Sequence, residues 1–190
     1  MFFNFAYSLL RVVFFPFYRL KITGRENLPE SGGMLVCANH TCLKDPIFVA
    51  FALGIKHDYA FMAKSELFNN ALFGFILKRL GAFPVNRAVA DVRAVKTAIH
   101  SLRDGKTLIL FPEGTRRKDA VVKAGAGMLA VRSGVPVVPV YIGGKKRIFC
   151  RTEIRIGKPF KLESPARPDY NEAASEIMQK VRGLSLDGAL

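Results

Sequence analysis

Met34-Leu35-Val36-Cys37-Ala38-Asn39-His40-Thr41-Cys42-Leu43-Lys44-Asp45-Pro46 decides the fold, because it runs from a short apolar segment through a polar loop into a helix start. Met34 to Ala38 suits a buried strand. Pro46 fits the first helical turn, where a missing N–H costs nothing, and the Asp45 carboxylate before it suits an N-cap. Strand and helix signals alternate downstream as well. Thr107-Leu108-Ile109-Leu110-Phe111 reads as a central strand running into Pro112-Glu113-Gly114-Thr115-Arg116-Arg117-Lys118, with a short helix over Ala126 to Ser133 and another apolar strand over Val135 to Ile142. Asp91 to Arg103 sets Val92, Val95, Ile99 and Leu102 on one helix face, with Gly105 as a stop. Lys64 to Leu80 reads as a helical stretch with little polar face, stopped by Gly81, that must be deeply packed or touch lipid. This order predicts an α/β domain with a mostly parallel central sheet flanked by helices, its sites at the carboxyl ends of the strands.

Upstream, Met1 to Leu20 is rich in Phe, Leu and Val but lacks a basic leader and an A-x-A cleavage signal, so a signal peptide is not expected. A helix of that length reaches about 30 Å. Arg11 in mid-segment would cost about 2.5 kcal/mol or more inside a bilayer, and Pro16 interrupts the helix. Asn4, Tyr7, Ser8, Arg11 and Tyr18 fall on one narrow side, leaving a wide apolar face. The expectation is an amphipathic, in-plane membrane-anchoring helix over residues 1–22, followed by the main domain over 23–190. A helix packed on the protein core is the alternative. The loop-like stretch Glu26 to Gly33 separates anchor from body.

The chain carries 29 Lys and Arg against 15 Asp and Glu, a net charge of +14 that calls for an anionic partner. Sixteen Phe with five Tyr and no Trp favours apolar burial over base stacking, which puts an anionic membrane surface ahead of nucleic acid. No RRM, KH or zinc motif is present, and no nucleic-acid partner is expected. Cys37, Cys42 and Cys150 form no CxxC pair and suggest neither a disulfide framework nor a metal cluster, so a cytosolic setting with no metal is expected.

His40 and Asp45 lie five residues apart, which inside one helix would turn them about 140° from each other; the intervening loop lets them meet. A carboxylate that accepts one ring N–H fixes the tautomer and frees the other nitrogen to take a proton from a hydroxyl. A simple helix cap at Asp45 is the plainer reading. No G-x-S-x-G elbow supports a serine hydrolase, and Cys42 is too near His40 in sequence to count as an independent nucleophile. After the buried strand at 107–111, Gly114 permits close backbone approach to a ligand and Arg116 offers a bidentate phosphate contact. Lys64 and Arg87 add charge that could serve the same site.

Together these segments resemble the glycerolipid acyltransferase family. Asn39-His40 with Asp45 is similar to its H-x4-D block. Ala63-Lys64-Ser65-Glu66-Leu67 through Val85-Asn86-Arg87 is similar to the second, Phe111-Pro112-Glu113-Gly114-Thr115-Arg116 to the third, and Val135 to Val140 to the fourth. Four blocks in order over residues 34–142 make the joint match specific.

The resemblance implies an acyltransferase domain over 23–190 that needs no cofactor and forms no acyl-enzyme. His40 would be the general base and Asp45 its orienting carboxylate, with Lys64, Arg87 and Arg116 binding phosphate. Glu113 would shape the acceptor site, and Gly114 would donate to the oxyanion. The acceptor implied is 1-acylglycerol-3-phosphate (lysophosphatidic acid), giving phosphatidic acid in phospholipid synthesis, with acyl-CoA or acyl carrier protein as donor. The setting implied is the cytoplasmic face of the cell membrane, bound peripherally or monotopically. Glycerol-3-phosphate and other lysophospholipids remain open as acceptors, as does a non-catalytic basic membrane protein using Lys145-Lys146-Arg147 on lipid. Many members carry Ser where this chain has Cys42.

Overall fold

Met34–Ala38 is buried along its whole length because both faces of the sheet it belongs to are covered. The computed structural model describes residues 2–14, 16–86, 89, 91–114, 122–163 and 166–185. In chain order the strands are β1 (Arg19–Thr23), β2 (Met34–Ala38), β3 (Tyr59–Lys64), β4 (Ala82–Val85), β5 (Thr107–Leu110), β6 (Val137–Gly144) and β7 (Arg151–Ile156). The helices are α1 (Phe2–Phe14), α2 (Asp45–Leu53), α3 (Ala71–Arg79), α4 (Val92–Arg103), α5 (Gly125–Ser133) and α6 (Tyr170–Arg182).

Among the described residues the strands form one sheet in the order β1-β7-β6-β2-β5-β3-β4. Parallel pairs join β2 to β5 and β6, β3 to β5 and β4, and β1 to β7. Among the described strands only β6 and β7 pair antiparallel, so the expected α/β architecture with a mostly parallel sheet holds. Alternate residues of β2 serve opposite faces. Met34, Val36 and Ala38 pack with Phe48 and Val49 of α2 on one side. Leu35 and Cys37 pack on the other with Ala98 and Leu102 of α4, Leu129 of α5 and Ile177 of α6. The sheet's carboxyl edge therefore collects the loops after β2, β5 and β3.

The N-terminal helix is shorter than expected. It covers Phe2–Phe14, and Arg19–Thr23, which begins inside the expected anchor and runs one residue past it, is an edge strand. Pro16 cannot continue the helix, and Arg19-Leu20-Lys21-Ile22-Thr23 alternates with a period of two that favours a strand. Asn4, Ser8 and Arg11 are exposed as the polar seam required. Tyr7 and Tyr18 are instead buried. Phe3 stacks on Tyr59 at 4.5 Å between centroids, and Tyr7 meets Phe51 edge-on at 5.3 Å, so an aromatic stripe docks α1 on the body. Phe5, Leu9, Val12 and Val13 face outward.

The expected helix over Lys64 to Leu80 is also divided. Lys64 ends β3, Ser65–Phe68 forms a 3-10 turn, and α3 starts after Asn70, whose side chain accepts the Phe73 N–H at 2.9 Å. The N-cap ends one segment and begins the next. Leu72 and Phe75 of α3 are exposed, so deep packing is not its fate. In α4 the buried face turns from Val92, which is exposed, toward Ala94, Ala98 and Leu102.

Candidate active site

The side chain of Asn39, just past β2, imitates a strand backbone. Its amide donates to the Ile142 carbonyl at 3.0 Å and its oxygen accepts the Ile142 N–H at 2.7 Å, clamping the loop onto β6. His40 follows, with its ring 4.4 Å from that of Phe111, the first residue after β5. The chain then turns so that Asp45 enters α2 as its first residue, behind Lys44 as the cap. Asp45 does not cap its own helix as its place before Pro46 suggested. Its Oδ2 points back into the loop, where the N–H groups of Thr41 and Cys42 both donate to it at 2.7 Å.

The same oxygen lies 3.1 Å from Nδ1 of His40, and Asp45 is fully buried. Burial by itself would push the carboxyl group up. Hydrogen bonds from His40, Lys146 and the Cys42 N–H outweigh it and hold Asp45 below its ordinary value. An ionised carboxylate only accepts hydrogen bonds, so Nδ1 of His40 is the donor to Asp45, and in the neutral ring Nε2 then presents a lone pair. Such a pair can act as a general base toward a hydroxyl.

Glu113, in the loop after β5, stands beside His40. Its Oε2 accepts the His40 backbone N–H at 3.3 Å, and its Oε1 accepts from Arg182 of α6 at 3.3 Å. Gly114 takes φ +61°, and its N–H donates to the Phe111 carbonyl at 2.9 Å. The donor expected for an oxyanion is therefore engaged within the turn; glycine serves the turn's left-handed backbone instead. Lys64 lies on the same carboxyl edge, on a strand separated from β2 by β5, and pairs with Glu66 at 2.9 Å. Arg87 and Arg116 lie outside the described residues. Val137 to Val140 are buried in β6 and contribute to the core.

Two residues of the site escaped the sequence reading. Lys146, grouped there with a basic cluster that would hold anionic lipid, is turned inward: its Nζ donates to Asp45 Oδ1 at 2.8 Å and to Thr41 Oγ1. Arg182 reaches Glu113 across 69 positions of sequence. Nothing local distinguishes Lys146 from Lys145 or Arg147; only the placement of β6 beside β2 does. Cys37 is buried, and burial pushes its thiol up, which removes it as a nucleophile.

A His–Asp pair at the carboxyl edge of a mostly parallel α/β sheet is an arrangement that can take a proton from a hydroxyl. Residues 19–143 match the Acyltransferase family, and the chain belongs to that family. It is 31% identical over 163 residues to the 1-acyl-sn-glycerol-3-phosphate acyltransferase of Bacillus subtilis, covering 83% of this chain and 81% of that one. It is 38% identical over 134 residues to the enzyme of the same name from Streptococcus pneumoniae, covering 67% of this chain and 50% of that one. The crystal structure of the 1-acyl-sn-glycerophosphate (LPA) acyltransferase PlsC from Thermotoga maritima superposes with a TM-score of 0.71 at 29% identity, covering 99% of this chain and 79% of that one.

Proposed function

We propose that this chain transfers a fatty acyl group from an acyl thioester to the sn-2 hydroxyl of 1-acylglycerol-3-phosphate, giving phosphatidic acid. The 3.1 Å contact between His40 and the buried Asp45 carries the reading. The acyltransferase family supplies its chemical context. Nε2 of His40 takes the hydroxyl proton as the acceptor oxygen bonds to the thioester carbonyl carbon. The tetrahedral oxyanion then collapses, the C–S bond breaks, and the thiolate leaves with the proton that His40 returns. Asp45 keeps the imidazole in the tautomer this requires.

Lys64, Arg87 and Arg116 bind the acceptor phosphate, and Glu113, held between the His40 N–H and Arg182, shapes the acceptor site. Coenzyme A or acyl carrier protein supplies the thioester. The protein works at the anionic surface of the cytoplasmic face of the membrane, with α1 lying in the interface. Phe5, Leu9, Val12 and Val13 support that placement, and no helix among the described residues is long and apolar enough to cross.

Purified protein assayed against glycerol-3-phosphate, lysophosphatidic acid and neutral lysolipids, each with both donor types, tests the reading. Lysophosphatidic acid is expected to be acylated at least about tenfold faster than a neutral lysolipid, a difference of about 1.4 kcal/mol. Equal rates on neutral lysolipids would remove the phosphate from the recognition scheme.

A further inference from the structure

Asp45 has two oxygens with separate partners. Oδ2 faces His40 and the loop N–H groups, whereas Oδ1 takes the ammonium of Lys146 at 2.8 Å. The side chain of Lys146 is only 10% exposed, unlike a solvated surface lysine. Thr41 Oγ1 holds the same Nζ, so the ammonium spans both ends of the His40-to-Asp45 loop.

The chain is shaped to deliver it there. Strand β6 lies directly beside β2 and ends in Gly143-Gly144. Gly144 takes φ +82°, and a Cβ on it would meet the Arg151 carbonyl oxygen at 2.6 Å, so the turn requires glycine. Lys146, two residues on, crosses back over the loop that follows β2.

A carboxylate beside an imidazole stabilises the imidazolium, and a cation on that carboxylate's far oxygen opposes the effect. Too strong a pull would leave the base already protonated. We propose that Lys146 is a positioning residue: it anchors Asp45 by its far oxygen, aims the near oxygen at His40, and tempers the carboxylate charge so that the imidazole stays an available base and gives its proton up to the departing thiolate.

The other ionisable groups around the pair, among the described residues, do not duplicate this contact. Glu113 faces the His40 backbone and is itself paired with Arg182. Lys44 sits over the Tyr18 ring at 5.0 Å, and Cys42 offers Asp45 its backbone N–H. With two of its N–H groups engaged and little exposure, Lys146 is poorly placed to bind the substrate phosphate.

The inference rests on the acyl transfer proposed above, and the test separates the two. Transfer from acyl thioester to lysophosphatidic acid is measured for the full chain and for K146Q, K146R and His40→Ala, from about pH 5 to 9. K146Q keeps a hydrogen-bond donor without the charge. It is expected to move the acid limb of kcat/KM upward by about one pH unit and to lower kcat while the acceptor KM stays within about twofold. K146R is expected to restore the limb.

Folded K146Q with an unmoved limb, or with a raised KM alone, overturns the role. If K146Q does not fold, Thr41→Val, which loosens the ammonium, must move the limb in the same direction; an unmoved limb overturns the role equally. Full transfer by His40→Ala overturns both proposals. An inactive His40→Ala beside an unmoved K146Q overturns only the one for Lys146.

Discussion

Asp45→Asn separates the two tasks of the Asp45 carboxylate. Asparagine can keep an acceptor toward the N–H groups of Thr41 and Cys42, but its amide then meets the Lys146 ammonium donor to donor. The substitution is therefore expected to lower kcat by about a hundredfold, through loss of the orienting charge, and to cost about 2 kcal/mol of stability. Transfer kinetics and denaturant unfolding check the two effects.

The stability difference also depends on pH. Asp45 is held below its ordinary value of 3.8, so its contribution is complete above that value and is lost as pH falls through the depressed one. The gap between wild type and Asp45→Asn should narrow below pH 3.8. A constant gap down to pH 2 or so would show that the carboxylate's charge contributes nothing.

His40 and Asp45 were legible at this scale because they lie five residues apart and a short loop brings them together. The cap suggested by Pro46 does not form: the Asp45 carboxylate turns back to the N–H groups of the preceding turn. Lys146 could not be read, since it lies 101 positions from Asp45 and only the pairing of β6 with β2 brings it over.

Among the elements, β2, α2, β5 and α5 were readable because each is a single uninterrupted apolar or periodic run. The stretch from Lys64 to Leu80 misled because apolar content cannot distinguish a strand end, a 3-10 turn and a short helix. Asn70, its cap, carried the missing boundary. Further along, Thr152, Ile154 and Ile156 alternate toward the core in β7, and Ala174, Ile177, Met178 and Val181 recur at helical spacing in α6. Those patterns carry two elements that the motif-centred reading left unassigned.

Helix α1 has its own test. Its inner aromatic stripe docks on Tyr59 and Phe51, while Phe5, Leu9, Val12 and Val13 face away. Replacing those four by Gln should leave the fold intact and reduce sedimentation with anionic vesicles at least about tenfold, since each apolar side chain contributes about 1.5 kcal/mol or more when buried in lipid. Undiminished sedimentation would place the membrane contact elsewhere.

For the whole molecule, the mostly parallel sheet gathers the loops after β2 and β5 at one edge, and the loop after β6 supplies Lys146, which pairs with Asp45 there. The alternation of apolar strands with helices was enough to expect that edge. The placement of β1 and β7 was not, because edge pairing and the antiparallel step from β6 to β7 depend on contacts between distant segments. The net charge of +14 narrowed the partners to anionic ones without choosing among them; the contact of His40 with the buried Asp45 directs the choice toward chemistry.

The most direct measurement is acyl transfer from a thioester to lysophosphatidic acid by purified His40→Ala, beside wild type and with vesicle binding followed on the same samples. The expected result is a loss of about a thousandfold or more in kcat with vesicle binding unchanged. Transfer by His40→Ala at the wild-type rate would contradict the assignment of the base, and with it the mechanism built on His40 and Asp45.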